Sequence, residues 1–417
     1  MTRVASTLRR TTASPAAKVG LALAGGGPQG AVYEIGALRA LEEAVDGLDL
    51  NDVGVYVGVS AGAFVAANLV NGLTTGQMCR AIVKHEPGEH PFVPETFFTL
   101  ARRELGKRAL SLPRLAIEAI NEFVRNRRDL RLREALTRLA RALPVGIFDN
   151  EPIRAYLEKI YALPGRTDDF RQLGRDLIVV AADLDSGQAV RFGEPPLDAI
   201  PISTAVQASS ALPGIYPPVV IDGRHYVDGV LLKTLHGSVA FERGADLLIC
   251  LNPIVPIDTA DAVARGVMKR GKLIDRGLIS VLSQSLRTLV RSRLEAGLGS
   301  YDDKFEGREL LLLEPRRDDY LMFFTNIFSF SQRRAVCQHA YDATRQYLLD
   351  RFDELAPLLA RYGLTLNRAV LEEERDLWQQ LGISDEAETR PARRPASGAL
   401  GDLSQALDRL DALLAEA

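Results

Sequence analysis

Between Lys18 and Val70 the chain twice passes from a short apolar run, through a glycine-rich turn, directly into helical periodicity. The first passage is KVGLALA at 18–24, GGGPQG at 25–30, and then AVYEIGALRALEEA, where Val32, Ile35, Leu38 and Leu41 recur on one helix face. Pro28 falls near the helix start, where a missing N–H does no harm. The second passage is a strand over 53–57, the turn GVSAG at 58–62, and a helix over 61–70 closed by Asn71-Gly72. Strand–turn–helix units this tightly connected leave few architectures open, and predict a layered α/β fold around a mostly parallel sheet. Later runs extend the pattern: a strand at 176–182, the turn Asp185-Ser186-Gly187, a pairing strand at 188–192, and a buried strand at 246–251.

Residues 53–70 carry no charge and reach the lower length limit of a membrane span. Their first half is rich in Val, Tyr and Gly and their second half in Ala, so a buried strand entering a buried helix fits better. The rest of the chain is ordinary for a globular protein, with 47% hydrophobic and 25% charged residues and a net charge of −3, which removes the electrostatic case for nucleic acid. Cys79, Cys250 and Cys337 are sparse, odd in number and without CxxC spacing; they read as thiols of a reducing, cytoplasmic compartment, not as a disulfide frame or metal site.

The domain expectation follows from composition. Residues 1–17 form a disordered leader without the apolar core of a secretory signal. An α/β domain spans 18–382, with a basic amphipathic helical insert at about 95–145 and a helical extension at about 258–382, basic again over 262–294. A linker rich in Glu, Arg, Pro and Ala covers 383–402. A short amphipathic helix at 403–417 has Leu403, Leu407, Leu410 and Leu414 on one face.

Three positions carry the chemistry. Gly58-Val59-Ser60-Ala61-Gly62 is G-x-S-x-G in the strand-to-helix context that exposes a serine hydroxyl at a sharp turn, with Gly58 and Gly62 small because neighbouring elements crowd them. The loop Gly25, Gly26, Gly27, Pro28, Gln29, Gly30 presents backbone N–H groups at a helix start, suited to an anion. Its Gly-x-Gly-x-x-Gly spacing also fits a dinucleotide, but that fingerprint needs an acid at the end of the second strand. Here the second strand runs into the serine, and Glu42, Glu43, Asp46, Asp49 and Asp52 all precede it. A serine nucleophile needs a base. His85, His90, His225, His236 and His339 sit in no recognisable motif; an order Ser60, then Asp183 or Asp228, with His236, stays open beside Asp228 of HYVDGV acting alone.

Blocks GGGPQG at 25–30, GVSAG at 58–62 and DGV at 228–230, with ASSALPGIYPPVVIDGRHYVDG at 208–229, occur in the order of the patatin-like phospholipases, and the chain resembles that family over about residues 18–255. The resemblance implies a three-layer α/β/α fold and a Ser–Asp dyad. Ser60 would be the nucleophile, Asp228 with Gly229 the base motif, and the loop of Gly25, Gly26, Gly27, Gln29 and Gly30 the oxyanion hole. It implies a lipid ester as substrate and no cofactor or metal. Gln29 stands where the family commonly has Arg or Lys, and Val230 where it commonly has Gly or Ala. Neutral-lipid lipase, thioesterase or polyester-granule hydrolase activity on the same dyad is the alternative, and a non-catalytic binding module the third reading. The basic segments predict peripheral contact with an anionic membrane; nothing in the sequence sets the oligomeric state.

Overall fold

The computed structural model describes residues 18–83, 99–101, 106, 144–266, 273–299, 304–324 and 330–383. The leader, most of the insert at 95–145, nearly all of the linker and the helix expected at 403–417 lie outside the described residues. The chain divides into two compact units, Met1–Glu374 and Arg375–Ala417. In the second, the described part holds a short helix, Leu377–Gln380, whose first turn is capped by the Asp376 carboxylate accepting from the Trp378 and Gln379 N–H groups.

In the first unit, β1 (Val19–Leu23) leads into α1 (Gly27–Ala44), and β2 (Val55–Val59) into α2 (Ala61–Val70) and α3 (Thr75–Val83). Then come α4 (Glu151–Tyr161), β3 (Asp176–Asp183), β4 (Ala189–Phe192), α5 (Ile202–Ser209), β5 (Val219–Ile221), β6 (Arg224–Asp228), α6 (Gly237–Glu242) and β7 (Leu247–Leu251). The described chain continues through α7 (Thr259–Ala264), α8 (Leu278–Leu298), β8 (Glu309–Leu313), α9 (Tyr320–Phe324) and α10 (Phe330–Asp350). β3, β2, β1, β7 and β8 are mutually parallel neighbours in that order, while β4, β5 and β6 add antiparallel pairings at the β3 side.

Side chains of a strand alternate between faces, and both faces here are buried. Ala22, Val55, Val57, Ile178, Val180, Leu248 and Cys250 join one cluster with Val239 and Phe241 of α6 and Val290 and Leu294 of α8. Their alternates Leu21, Leu23, Tyr56, Val179 and Ile249 are equally buried, on the side where α1 and α2 pack. The sheet therefore has helices on both sides, as the motif order implied. On α1, Gly36 lets α10 come close enough that an added Cβ would stand 2.2 Å from the Cys337 carbonyl.

The structure shifts three sequence expectations. β2 occupies 55–59, so the strand runs to the serine itself. The stretch before Asp228 is a hairpin, β5 and β6, turned by Asp222 and Gly223, both at positive φ. The extension expected to be helical contains β8, with sequence ELLLL, which completes the parallel edge beside β7. A short all-apolar run has no period that separates a buried strand from a buried helix. The two described ends of the insert meet, with the Ala101 N–H donating to the Ile147 carbonyl at 3.0 Å.

Candidate active site

Register brings Ser60 and Asp228 together. On one edge of β3, Val180 pairs with Val59, the last residue of β2, and the next residue, Ala181, pairs with Asp228, the last residue of β6. The opposite edge of both residues is taken by β4. β2 and β6 thus run toward each other along the same edge and end nose to nose, one in Ser60 and the other in Asp228.

Ser60 has φ 54° and ψ −120°, a left-handed conformation rarely adopted by a residue with a side chain. The turn is forced by contacts on both sides. A Cβ at Gly58 would stand 2.4 Å from the Ala63 Cα, and one at Gly62 would stand 2.3 Å from the Leu23 carbonyl oxygen. Gly62 also donates its N–H to the Ala24 carbonyl at 3.0 Å, which ties the serine turn to the root of the glycine loop. The Ser60 N–H donates to the Ser209 hydroxyl at 2.8 Å, and that hydroxyl donates to the Val180 carbonyl at 2.6 Å.

The Ser60 side chain lies close enough to the Asp228 carboxylate to favour its charged form. Asp228 is buried, accepts the Val230 N–H at 2.9 Å, and has its own N–H bound to the Ala211 carbonyl at 3.0 Å. Burial dominates its titration and pushes the carboxyl up to about 7, while the Val230 N–H and the nearby Ser60 side chain pull against it. Such a group accepts a proton far more readily than an ordinary carboxylate. Gly229 presses on β3, since a Cβ there would lie 2.5 Å from the Val180 carbonyl.

The glycine loop closes the third side. A Cβ built at Gly25 would lie 3.3 Å from the Ser60 Cβ and 3.4 Å from the Val230 Cγ2. Val230 is thus a packed wall between loop and carboxylate, where the sequence showed only a departure. The loop ends at α1, with Gly26 as the residue before the helix and Gly27 at φ 59°. The N–H groups of Gly25, Gly26 and Gly27 meet no acceptor among the described residues. The Gly30 N–H, by contrast, is already engaged: it donates to the Gly26 carbonyl at 3.0 Å as the first helical hydrogen bond. Gln29 turns its amide away, toward the Leu321 carbonyl at 3.4 Å. The N-termini of α1 and α2 converge beside Ser60, and neither has an acid in its first turn, so the local field favours negative charge.

Among the described residues no histidine side chain is hydrogen-bonded to Ser60 or Asp228. His236 is buried and hydrogen-bonds to the backbone of Gly229 and Lys233; burial pulls its titration down to about 4. Asp183 accepts the N–H groups of Asp185 and Ser186 at 3.0 and 2.9 Å, His225 faces Asp185, and His339 pairs with Asp319 at 2.6 Å. His85 and His90 lie outside the described residues. Reasoning from sequence missed Ser209, although the quoted stretch 208–229 contained it, and it missed Pro253. The Pro253 Cγ would lie 2.7 Å from a Cβ at Gly26, so it roofs the loop from β7.

The basic stretch 262–294 also reads differently in three dimensions. Arg291 pairs with Glu314 at 2.6 Å, Arg293 donates to the Leu231 carbonyl, and Arg287 donates to the Val255 carbonyl at 3.1 Å. Arg287 and Arg291 turn inward, while Leu278, Leu282 and Leu289 of the same helix are 70%, 55% and 62% exposed. Among the described residues no helix is long and apolar enough to cross a membrane.

The chain is 38% identical over 81 residues to uncharacterized NTE family proteins of Mycobacterium bovis and Mycobacterium tuberculosis, which is 19% of this chain and about a fifth (21%) of each relative's length. Among solved structures it is similar to VipD from Legionella pneumophila, with 14% identity, TM-score 0.36, and coverage of 80% of this chain and 67% of that one. The type III effector protein ExoU gives 15% identity, TM-score 0.24, and coverage of 83% and 65%. The family model described as patatin-like phospholipase matches residues 21–235, the segment that holds the glycine loop, the serine turn and Asp228. The chain belongs to the patatin-like phospholipase family.

Proposed function

We propose that this protein hydrolyses the carboxylic ester of a lipid through an acyl-Ser60 intermediate. The observation that carries the reading is the register that ends β2 in Ser60 and β6 in a buried Asp228 on adjacent residues of one edge of β3, with the carboxyl raised to about 7. Asp228 takes the Ser60 proton as the serine oxygen bonds to the ester carbonyl carbon. The developing oxyanion is met by the free N–H groups of Gly26 and Gly27, with Gly25 beside them. When the carbon–oxygen bond of the leaving alcohol breaks, the alcohol takes the proton from Asp228. Water then attacks the acyl-serine with Asp228 again as base, releasing the fatty acid and restoring the Ser60 hydroxyl. Ser209 and Gly62 hold the nucleophile in its strained turn, so little is reorganised during reaction.

The exposed leucines of α8, on the helix whose inner side packs around Val230, support a peripheral approach to a lipid surface led by apolar contact. Buried Cys79, Cys250 and Cys337 suit a reducing, cytoplasmic setting. One observation favours a neutral-lipid or thioester substrate instead: Gln29 leaves the glycine loop without a cation. Fluorophosphonate labelling of wild type, Ser60→Ala and Asp228→Asn, with fatty acid release measured on the same samples, tests the hydrolase reading. It expects labelling and release in wild type alone; label retained by Ser60→Ala overturns it.

A further inference from the structure

The glycine loop lacks a cation of its own, yet an unpaired one stands against its roof. Arg287 on α8 lines a small pocket with Pro253, Val255, Asp319, Met322 and Phe323. Two walls of that pocket belong to the glycine loop's surroundings. Pro253 packs on Gly26 and Gly30, where added Cβ atoms would lie 2.7 and 3.0 Å from its Cγ. Gln29 reaches the carbonyl of Leu321, the residue before Met322. Neighbouring turns of the helix fix this placement, because Leu286, Val290 and Leu294 pack in the cluster that contains Val230, two residues from Asp228.

The guanidinium has few partners. Among the described residues it donates one hydrogen bond, to the Val255 carbonyl at 3.1 Å, and lies 4.9 Å over the Phe323 ring. No carboxylate pairs with it among the described residues, whereas Arg291, one turn on, has Glu295 and Glu314, and Arg316 of the same pocket has Asp318. Asp319 is engaged elsewhere, by His339 at 2.6 Å and the Met322 N–H at 3.2 Å. Burial lowers the Arg287 titration only to about 10, so it stays charged at neutral pH. A half-buried, uncompensated cation is costly to a fold, and a core position would be filled better by an apolar side chain. Its remaining N–H groups are not sealed from solvent, since none is among the buried polar atoms lacking a partner.

We propose that Arg287 reads the substrate: its guanidinium receives the phosphodiester of a phospholipid whose ester carbonyl lies at Ser60, supplying from α8 the charge that Gln29 does not. The planar fork of arginine suits two phosphate oxygens at once. This rests on the hydrolase reading above and decides between its phospholipid and neutral-lipid forms.

The test compares wild type, Arg287→Met and Arg287→Lys on phosphatidylglycerol and on diacylglycerol in matched detergent micelles, with a soluble p-nitrophenyl ester as a third substrate. The expected result is a loss in kcat/KM on phosphatidylglycerol of about 10- to 100-fold for Arg287→Met, the range for one charge-assisted hydrogen-bonded contact. Arg287→Lys recovers part of it, and the other two substrates are unchanged. Equal losses on all three substrates, or no loss on phosphatidylglycerol, overturn the proposal. Independently of any variant, a soluble glycerophosphodiester is expected to compete with phosphatidylglycerol on wild type at millimolar concentration, and absence of competition counts against Arg287. If wild type turns over none of the three, the hydrolase reading fails first, which is a separate outcome.

Discussion

Ser209 holds Ser60 by its backbone: the Ser60 N–H donates to the Ser209 hydroxyl at 2.8 Å, and the same hydroxyl donates to Val180 at 2.6 Å. One buried side chain thereby fixes the serine turn to the strand that also pairs with Asp228. Ser209→Ala leaves a buried N–H without an acceptor and loses the bond to Val180. The expected cost is about 1–3 kcal/mol in urea unfolding, together with a fall in kcat larger than any change in KM. Unchanged stability and kcat would remove Ser209 from this role.

The Asp228 titration predicts opposite effects on activity and stability. Deprotonation to the basic form gives kcat/KM an acidic limb with a midpoint near pH 7, where burial sets the Asp228 carboxyl at about 7. The folded protein holds this proton up to about 7 while the unfolded chain releases it near 3.8, so the folded state binds more protons between these values. Stability therefore falls as pH rises through that window, and the full penalty is present above it. Asp228→Asn abolishes turnover, yet is expected to be more stable than wild type at pH 8 by about 2–4 kcal/mol, with the advantage gone near pH 4. Thermal melts of the two proteins across pH 4–8 check this.

A histidine base predicts a different pattern. His236 bonds to the backbone carbonyls beside Asp228 and has its Nε2 without a partner, which leaves Nδ1 as the bonding atom. The amide of His236→Asn can place a donor close to the Nδ1 position. This variant is expected to keep turnover within about threefold, and to keep its acidic limb, because the Ser60 proton goes to Asp228. Loss on the order of 10⁴, as when a triad member is removed, would restore the histidine triad.

Gly62 and Gly27 separate two reasons for glycine. Gly62→Ala places a Cβ 2.3 Å from the Leu23 carbonyl oxygen, so the turn cannot form and the protein is expected to lose its cooperative melt. At Gly27 nothing lies within 4 Å of an added Cβ, and only its φ of 59° resists substitution. Gly27→Ala is expected to fold at a cost of about 1–2 kcal/mol, and circular dichroism melts distinguish the two.

The thiols give a chemical check on the packing. Cys79 and Cys337 lie 3.9 Å apart between α3 and α10, and their contact and burial push the Cys337 thiol well up. Burial does the same to Cys250. Native protein is expected to resist iodoacetamide at all three and to be alkylated at each in urea; rapid native labelling of Cys337 would contradict the α1–α3–α10 packing.

Much of this site was legible because it is local. The serine turn, the glycine loop and the two helices behind them are each spelled within about ten residues, where strand ends and helix starts leave a periodic signature. Asp228 was legible only through the order of its motif relative to the others. What escaped depends on pairing across long sequence distance. β8 looks like any apolar run until β7 lies beside it, and Pro253 and Arg287 acquire meaning only once the chain beyond 250 folds back onto residues 25–30. The inward turn of Arg291 toward Glu314 likewise could not follow from charge counts, which do not say which face a charge occupies.

The meeting of β2 and β6 on one edge of β3 has a consequence for control. Val59, the residue before Ser60, and Asp228 are anchored to adjacent residues on one edge of β3, Val180 and Ala181. Drawing them apart would mean unzipping a strand in the middle of the sheet, so no modest hinge or loop motion can disarm the pair. On the proposed hydrolase reading the pair is loaded whenever the chain is folded, and restraint falls to what admits the substrate, not to what assembles the chemistry.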